Sequence, residues 1–270
     1  MMETNLHLKQ FVISHKSFND SRFQGRTILY VNQHLPKQEK EDTINTWSGD
    51  NIDSLNPWYC ELTALYWIWK NVPSETIISF EHYRRVFLTS HSNWFTYQFL
   101  QKDEILEILS HYDIILPLAH HFKDDLYSQY QKNHIIQDMN VMEKVLLEKH
   151  QDYSTVLKET MEGHDAVLFN MFIMKKELLD DYCSFAFPLL NEVYQIQKKD
   201  ILQRNDYQQR SIGFLSERLF NIYLNKKIPE EKRFHTPIAH LDQKPFIHYI
   251  KDFFFHMIQK DYDKQWSKLK

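Results

Sequence analysis

An α/β fold, with a mixed and mainly parallel sheet flanked by helices and a helical C-terminal part, is what this sequence predicts. Short apolar runs of strand length alternate with amphipathic stretches of helical period along most of its 270 residues. A hydrophobic fraction of 43%, with 15% aromatic residues, is ample for a packed core. The chain has no internal repeat, no low-complexity segment and no linker-like stretch, which favours one domain over residues 1–270.

The elements follow in order. Residues 11–14 (FVIS) and 27–31 (TILYV) are short, continuous apolar runs that read as buried strands. Residues 32–52 are polar, carry Pro36, Gly49 and a charge run, and read as a long loop. Asn56-Pro57 signals a helix start with proline at the first helical position, and Leu62, Leu65, Tyr66 and Trp69 then recur at helical spacing up to Asn71. Residues 77–80 (IISF) form the next strand. Phe95, Phe99, Leu106 and Leu109 mark a helix over 94–110, and residues 112–117 read as a strand ended by Pro117. Residues 124–161 read as mostly helical, 166–174 as a strand, 176–197 as a long helix holding Pro188, and 213–225 as a helix. Residues 246–257 are rich in aromatics with lysines nearby, which suits either an interfacial amphipathic helix or one docked on the core.

Composition excludes several function classes. A formal net charge of -4 lacks the basic footprint that non-specific nucleic-acid binding needs. Only Cys60 and Cys183 are present, with no metal-type spacing, which points to a reducing cytoplasmic setting and makes Cys60 a structural thiol. Residues 1–9 carry no apolar signal core, and no apolar run reaches the ~18 residues that span a bilayer. The four glycines, Gly25, Gly49, Gly163 and Gly213, are isolated, so neither a GxGxxG nor a GxxxxGK[ST] loop exists. Any phosphate must therefore be held by side chains.

The candidate for that task is His82-Tyr83-Arg84-Arg85, directly after the strand at 77–80. Two adjacent guanidiniums at a strand end call for a compensating anion, and their planar forks match phosphate oxygens. The alternative is a solvated strand end closed by an internal arginine–carboxylate pair. Glu217, in Gly213-Phe214-Leu215-Ser216-Glu217-Arg218, is placed to be a general base or to pair with Arg210 or Arg218. Asn170 is able to bond a sugar hydroxyl or cap a turn, and His164-Asp165 to face a ligand or supply ordinary loop polarity. His120-His121 lacks a third ligand at a recognisable spacing, and a strand-terminal Asp-x-Asp is absent. No motif requires a metal or cofactor, although a divalent cation (manganese or magnesium) remains compatible.

Several stretches together resemble the bacterial family known as domain of unknown function 4422, found among capsular and exopolysaccharide glycosyltransferases. They are Gly49-Asp50-Asn51-Ile52, then Asn56-Pro57-Trp58-Tyr59-Cys60-Glu61-Leu62-Thr63 running into Leu65-Tyr66-Trp67-Ile68-Trp69-Lys70-Asn71, and His82-Tyr83-Arg84-Arg85. Tyr112-Asp113-Ile114-Ile115-Leu116-Pro117, Asn170-Met171-Phe172-Ile173-Met174-Lys175-Lys176 and Gly213-Phe214-Leu215-Ser216-Glu217-Arg218-Leu219 complete the ordered set. The chain departs from the family pattern at Ala64, at Ser79-Phe80-Glu81 and at His120-His121.

The resemblance implies a GT-A-like, Rossmann-type fold. Residues 1–120 would be the nucleotide-binding half, 121–230 the sugar and acceptor half, and 231–270 a C-terminal extension. It also implies a hexosyltransferase, with UDP-galactofuranose as first donor and a lipid-linked oligosaccharide as acceptor, working in the cytoplasm with peripheral contact at the inner face of the membrane. On this reading Ser14, His15, Lys16, Asp50 and Asn51 lie by the donor, because open α/β sheets bind ligands at strand carboxyl ends. Arg84 and Arg85 neutralise the leaving diphosphate, with His82 or Tyr83 donating a hydrogen bond, and Glu61 or Glu81 is available to hold one of the arginines. Glu217 deprotonates the acceptor for an inverting transfer, while His164, Asp165, Asn170 and Arg218 line the sugar or acceptor side. Two other classes fit the residues less fully: a phosphotransferase or hydrolase acting on sugar phosphates, and a non-catalytic glycan- or nucleotide-binding module.

Overall fold

The structure, a computed structural model, describes residues 7–17, 21–31, 42–74, 76–92, 97–241, 265–266 and 269. The aromatic segment at 246–257 lies outside them. Strands β1 (His7–Ser14), β2 (Thr27–Tyr30) and β3 (Thr43–Asn45) run parallel to β4 (Thr76–His82). Between β3 and β4 come helices α1 (Asn56–Tyr59) and α2 (Leu62–Asn71). Strand β5 (Arg85–Phe87) turns straight back on β4, followed by α3 (Lys102–His111), β6 (Ile114–Pro117) and the short β7 (His120–His121). Helices α4 (Leu126–Asn133), α5 (Ile136–Lys149) and α6 (Ser154–Glu162) lead to β8 (Asp165–Ala166), which pairs with β7, and to β9 (Phe172–Lys175). Helices α7 (Lys176–Ile201), α8 (Asp206–Gln209) and α9 (Ser211–Lys227) precede β10 (Arg233–Thr236) and β11 (Ile238–His240).

The main sheet has the order β10-β6-β9-β4-β1-β2-β3, with β5 pairing with the end of β4 and β11 pairing with β5. Along that order only β9 runs against both of its neighbours, and the appended β5 runs against β4 and β11, so the mixed, mainly parallel sheet predicted from the alternation is present. Side chains alternate across the sheet with period two and thereby sort into layers. Phe11, Ile13, Ile78, Phe80, Leu116 and Phe172 pack with α2, α5, α7 and α9 in the larger core. Ile77, Ile115 and Ile173 face the other way, onto Ile105, Ile108 and Leu109 of α3. β4 is buried along nearly its whole length because it lies between β1 and β9 with helices on both sides.

Four elements differ from the sequence-based expectation. The loop expected over 32–52 holds β3, which pairs with β2 in the sheet. The helix over 56–71 is broken at Cys60, which takes φ 52°, ψ −129°. The break is held because Asn56 Nδ2 and Thr63 Oγ1 both donate to the Cys60 carbonyl, at 2.9 and 3.0 Å. The helix expected over 94–110 begins only at Lys102: Gln101 and Glu104 form a reciprocal capping box, and Phe99 instead bridges Leu88. The strand expected over 166–174 is interrupted, because Phe169 and Asn170 both adopt positive φ (74° and 49°). α7, in contrast, continues through Pro188 to Ile201.

Candidate functional site

β1, β2 and β4 end side by side, and a cleft of about 480 Å³ opens at their carboxyl ends. Ile13, Val31 and His82 form its strand-end wall, while Asn56, Cys60 and Glu61 enter from the α1–α2 break. His15, Pro57, Tyr83, Arg84 and Arg210 complete it. The broken helix therefore has a consequence: a continuous helix would carry Cys60 and Glu61 through as ordinary helical positions. Non-glycine residues held in such sparsely populated backbone conformations cluster at functional sites.

The His-Tyr-Arg-Arg run straddles a tight turn. His82 ends β4, Tyr83 and Arg84 form the bend, and Arg85 starts β5 opposite His82. The two arginines thus diverge. Arg84 lines the cleft, whereas Arg85 is not among the lining residues and lies 4.0 Å from the Phe169 ring centroid. The second cleft guanidinium comes from Arg210, whose Nε lies 3.1 Å from Cys60 Sγ. Gly213 allows that approach, since a Cβ there would sit 3.1 Å from the same sulfur. Lys16 Nζ stands 4.9 Å from the Tyr83 ring, and His15 meets Tyr83 edge to face at 5.4 Å. Burial, then Arg84, Lys16 and Arg210, hold the His15 pKa down, so the ring stays neutral in a positive field.

Carboxylates lie at and behind the cleft wall. Glu61 lines the cleft, and its Oε1 accepts from Asn170 Nδ2 at 2.8 Å. Glu217 is not among the lining residues; its Oε1 accepts the Phe169 N–H at 2.9 Å, and its Oε2 stands 3.8 Å from Arg218 Nη1. Burial, more than its charged neighbours, raises the Glu217 pKa. His82 Nε2 is 2.8 Å from the Phe169 carbonyl. A carbonyl only accepts, so Nε2 carries the proton and Nδ1 is left with a lone pair. Burial lowers the His82 pKa against the opposing pull of Glu61, so the neutral ring has no second N–H to give a phosphate. Cys60, pushed up to about 12 chiefly by burial, is a thiol at neutral pH.

The remaining sequence candidates lie elsewhere. Ser14 is buried, and its hydroxyl donates to the Lys16 carbonyl at 2.5 Å. Asp50 is bound through its backbone to the Asn71 amide and through its side chain to the Tyr66 hydroxyl. Asn51 closes on Gly49 and Asp53. Asn71 is about 15 Å along the α2 axis from Glu61, which sets this loop apart from the cleft. Arg218, 3% exposed, bonds Gln129 and lies 5.9 Å from the Tyr130 ring. His164 and Asp165 are exposed at the β7–β8 ribbon, where Asp165 meets His121 Nδ1 at 2.9 Å. Glu81 takes Arg26, not Arg84 or Arg85, as its ion-pair partner at 3.5 Å. Cys60 and Arg210 are the site residues that sequence reasoning assigned elsewhere, to a structural thiol and to an ion pair with Glu217. Their only local signal is the helix break and the glycine three positions after Arg210.

Open α/β sheets bind their ligands in the crevice at the strand carboxyl ends, and in this chain cationic side chains gather there. The chain belongs to the family described as domain of unknown function (DUF4422), whose profile matches residues 9–228. A solved structure, that of the bifunctional glycosyltransferase WbbM without ligand, is similar with a TM-score of 0.71 and 25% identity. The match covers 88% of this chain and 46% of that one, so the chain spans less than half the length of the protein it matches. No curated protein matches the chain. Among the described residues, no helix is long and apolar enough to cross a membrane, and no three His, Cys, Asp or Glu side chains come together as a metal-ligating group.

Proposed function

We propose that the chain is a glycosyltransferase moving a hexose, with galactofuranose first, from a UDP-linked donor to a lipid-linked oligosaccharide acceptor in capsular or exopolysaccharide synthesis, with inversion. The observation that carries this reading is the cleft holding Arg84, Arg210 and Glu61 together at the carboxyl ends of parallel strands. Arg84 and Arg210, with Lys16 nearby, offset the negative charge that develops on the departing diphosphate. The acceptor oxygen forms the new bond to the anomeric carbon as the bond from that carbon to the phosphate oxygen breaks. The acceptor proton passes to a carboxylate. Sequence alone favours Glu217 for that step; Glu61 is preferred, because a base must reach the proton it takes and Glu61 is the carboxylate on the cleft wall. His15 and Tyr83 border the donor, and the exposed His164 and Asp165 stay with the acceptor side as a secondary expectation. An acceptor anchored in a membrane brings the protein to its cytoplasmic face.

The test is a thermal-shift screen of nucleotide sugars, with and without manganese and chelator, followed by turnover of radiolabelled UDP-galactofuranose on lipid-linked acceptors. A ligand-specific rise in melting temperature identifies a binder of the folded state. Arg84→Ala and Arg210→Ala should each lower kcat/KM about 100-fold, and Arg85→Ala less than about tenfold. Turnover within threefold of wild type in both of the first two variants refutes the diphosphate role.

A further inference from the structure

Phe169 and Asn170, two adjacent residues with left-handed backbone, tie together four polar side chains from three different elements. The Phe169 carbonyl takes the His82 proton from β4, and the Phe169 N–H bonds Glu217 of α9. The Asn170 amide, 3% exposed, gives both of its protons away: one to Glu61 at 2.8 Å, the other to Ser216 Oγ at 2.9 Å. Ser216 Oγ in turn donates to the Gly213 carbonyl at 2.7 Å. A carboxylate only accepts, so Nδ2 must face Glu61, and the chain of donors has one direction.

We propose that Asn170 is a positioning residue: it contacts no substrate and sets the orientation of the Glu61 carboxylate on the cleft wall. The inference rests on the reading of Glu61 as the proton acceptor. Anchoring one carboxylate oxygen through a buried amide leaves the other to receive the acceptor proton and removes rotamer freedom from the base. A catalytic carboxylate misplaced by an ångström loses much of its effect. Donation from Asn170 to a sugar hydroxyl is not open, because the residue is 3% exposed and both of its amide protons are committed inside the protein, which favours positioning over direct contact.

Two variants separate this role from that of a turn former. Glycine adopts φ 49° without strain, so Asn170→Gly keeps the turn and removes only the amide. Aspartate is tolerated in the left-handed region, but Asn170→Asp sets a second carboxylate against Glu61. Both should lower kcat for UDP-galactofuranose transfer about 10- to 100-fold, with the donor KM within about twofold. Asn170→Gly should keep its melting temperature within about 2 °C of wild type. In its crystal structure, the Glu61 carboxylate should leave the position seen beside residue 170. An Asn170→Gly variant that keeps Glu61 in place, or keeps kcat within twofold, overturns the positioning role. If Glu61→Gln transfers sugar at the wild-type rate, it is the base assignment that fails, and the Glu61 position in Asn170→Gly still decides the positioning claim.

Discussion

Removing the Arg26 guanidinium should leave Glu81 as an uncompensated buried carboxylate at the end of the central strand. Glu81 is 0% exposed and Arg26 5%, and their ion pair spans 3.5 Å. The Ser79 hydroxyl, at 3.2 Å, and the Phe87 backbone N–H also serve the carboxylate. At that separation, an effective dielectric of about 20 gives an attraction of about 5 kcal/mol. Breaking one side of a buried pair destabilises proteins by about 3–5 kcal/mol. The deficit should depend on pH. Burial raises the folded-state pKa of Glu81, so this group contributes most below its unfolded pKa and loses that contribution as pH rises through the folded value. Arg26→Met lifts the folded pKa further and extends that window upward. Relative to wild type, the variant should therefore lose least near pH 5 and progressively more toward pH 8, by up to about 1.4 kcal/mol per pH unit. Urea unfolding followed by tryptophan fluorescence at three pH values reads this directly. The double variant Arg26→Met/Glu81→Gln should recover about 2 kcal/mol and lose the part of the pH dependence that Glu81 supplies. A deficit below about 1 kcal/mol, or one that does not change with pH, refutes the reasoning.

Two further predictions concern the loop and the thiol. Gly49→Ala should destabilise the fold by about 1–3 kcal/mol, because Gly49 has φ +61° and a Cβ there meets the Asn71 side chain that holds Asp50; an unchanged urea midpoint speaks against it. Cys60 should react with iodoacetamide at pH 8 at least ~100-fold more slowly than glutathione, and faster as pH rises, because its pKa is pushed up to about 12. Peptide mass spectrometry reads the rate, and labelling at the glutathione rate contradicts a thiol held neutral at the cleft wall.

Much of the fold was legible because it rests on local patterns. The runs at 11–14, 27–31 and 77–80 became β1, β2 and β4, since continuous apolar strands are what a parallel sheet covered by helices requires. The 166–174 segment misled for a reason that no periodicity records: its apolar residues are buried on both sides of a left-handed turn, so burial alone imitates a strand. The short strands β3, β5, β10 and β11 carry three or four residues each, too few to display a period. The motifs from Asn56 to Thr63 and from Asn170 onward were recognisable as strings. Their physical content, a clasped carbonyl at Cys60 and a turn gripping Glu61, His82 and Glu217, was not.

By itself the sequence determined the α/β class, the family and the absence of a glycine-rich phosphate loop, because each follows from order and composition along the chain. Only the tertiary structure decided which cations share the cleft. Arg84 and Arg85 are neighbours in sequence, yet a turn and the pleat of β5 send them apart, while Arg210 arrives from the far end of the chain through the packing of α9 on the broken helix. Adjacency in the chain constrains the backbone path alone; proximity of side-chain tips is set by strand direction, turn geometry and the contact that Gly213 permits.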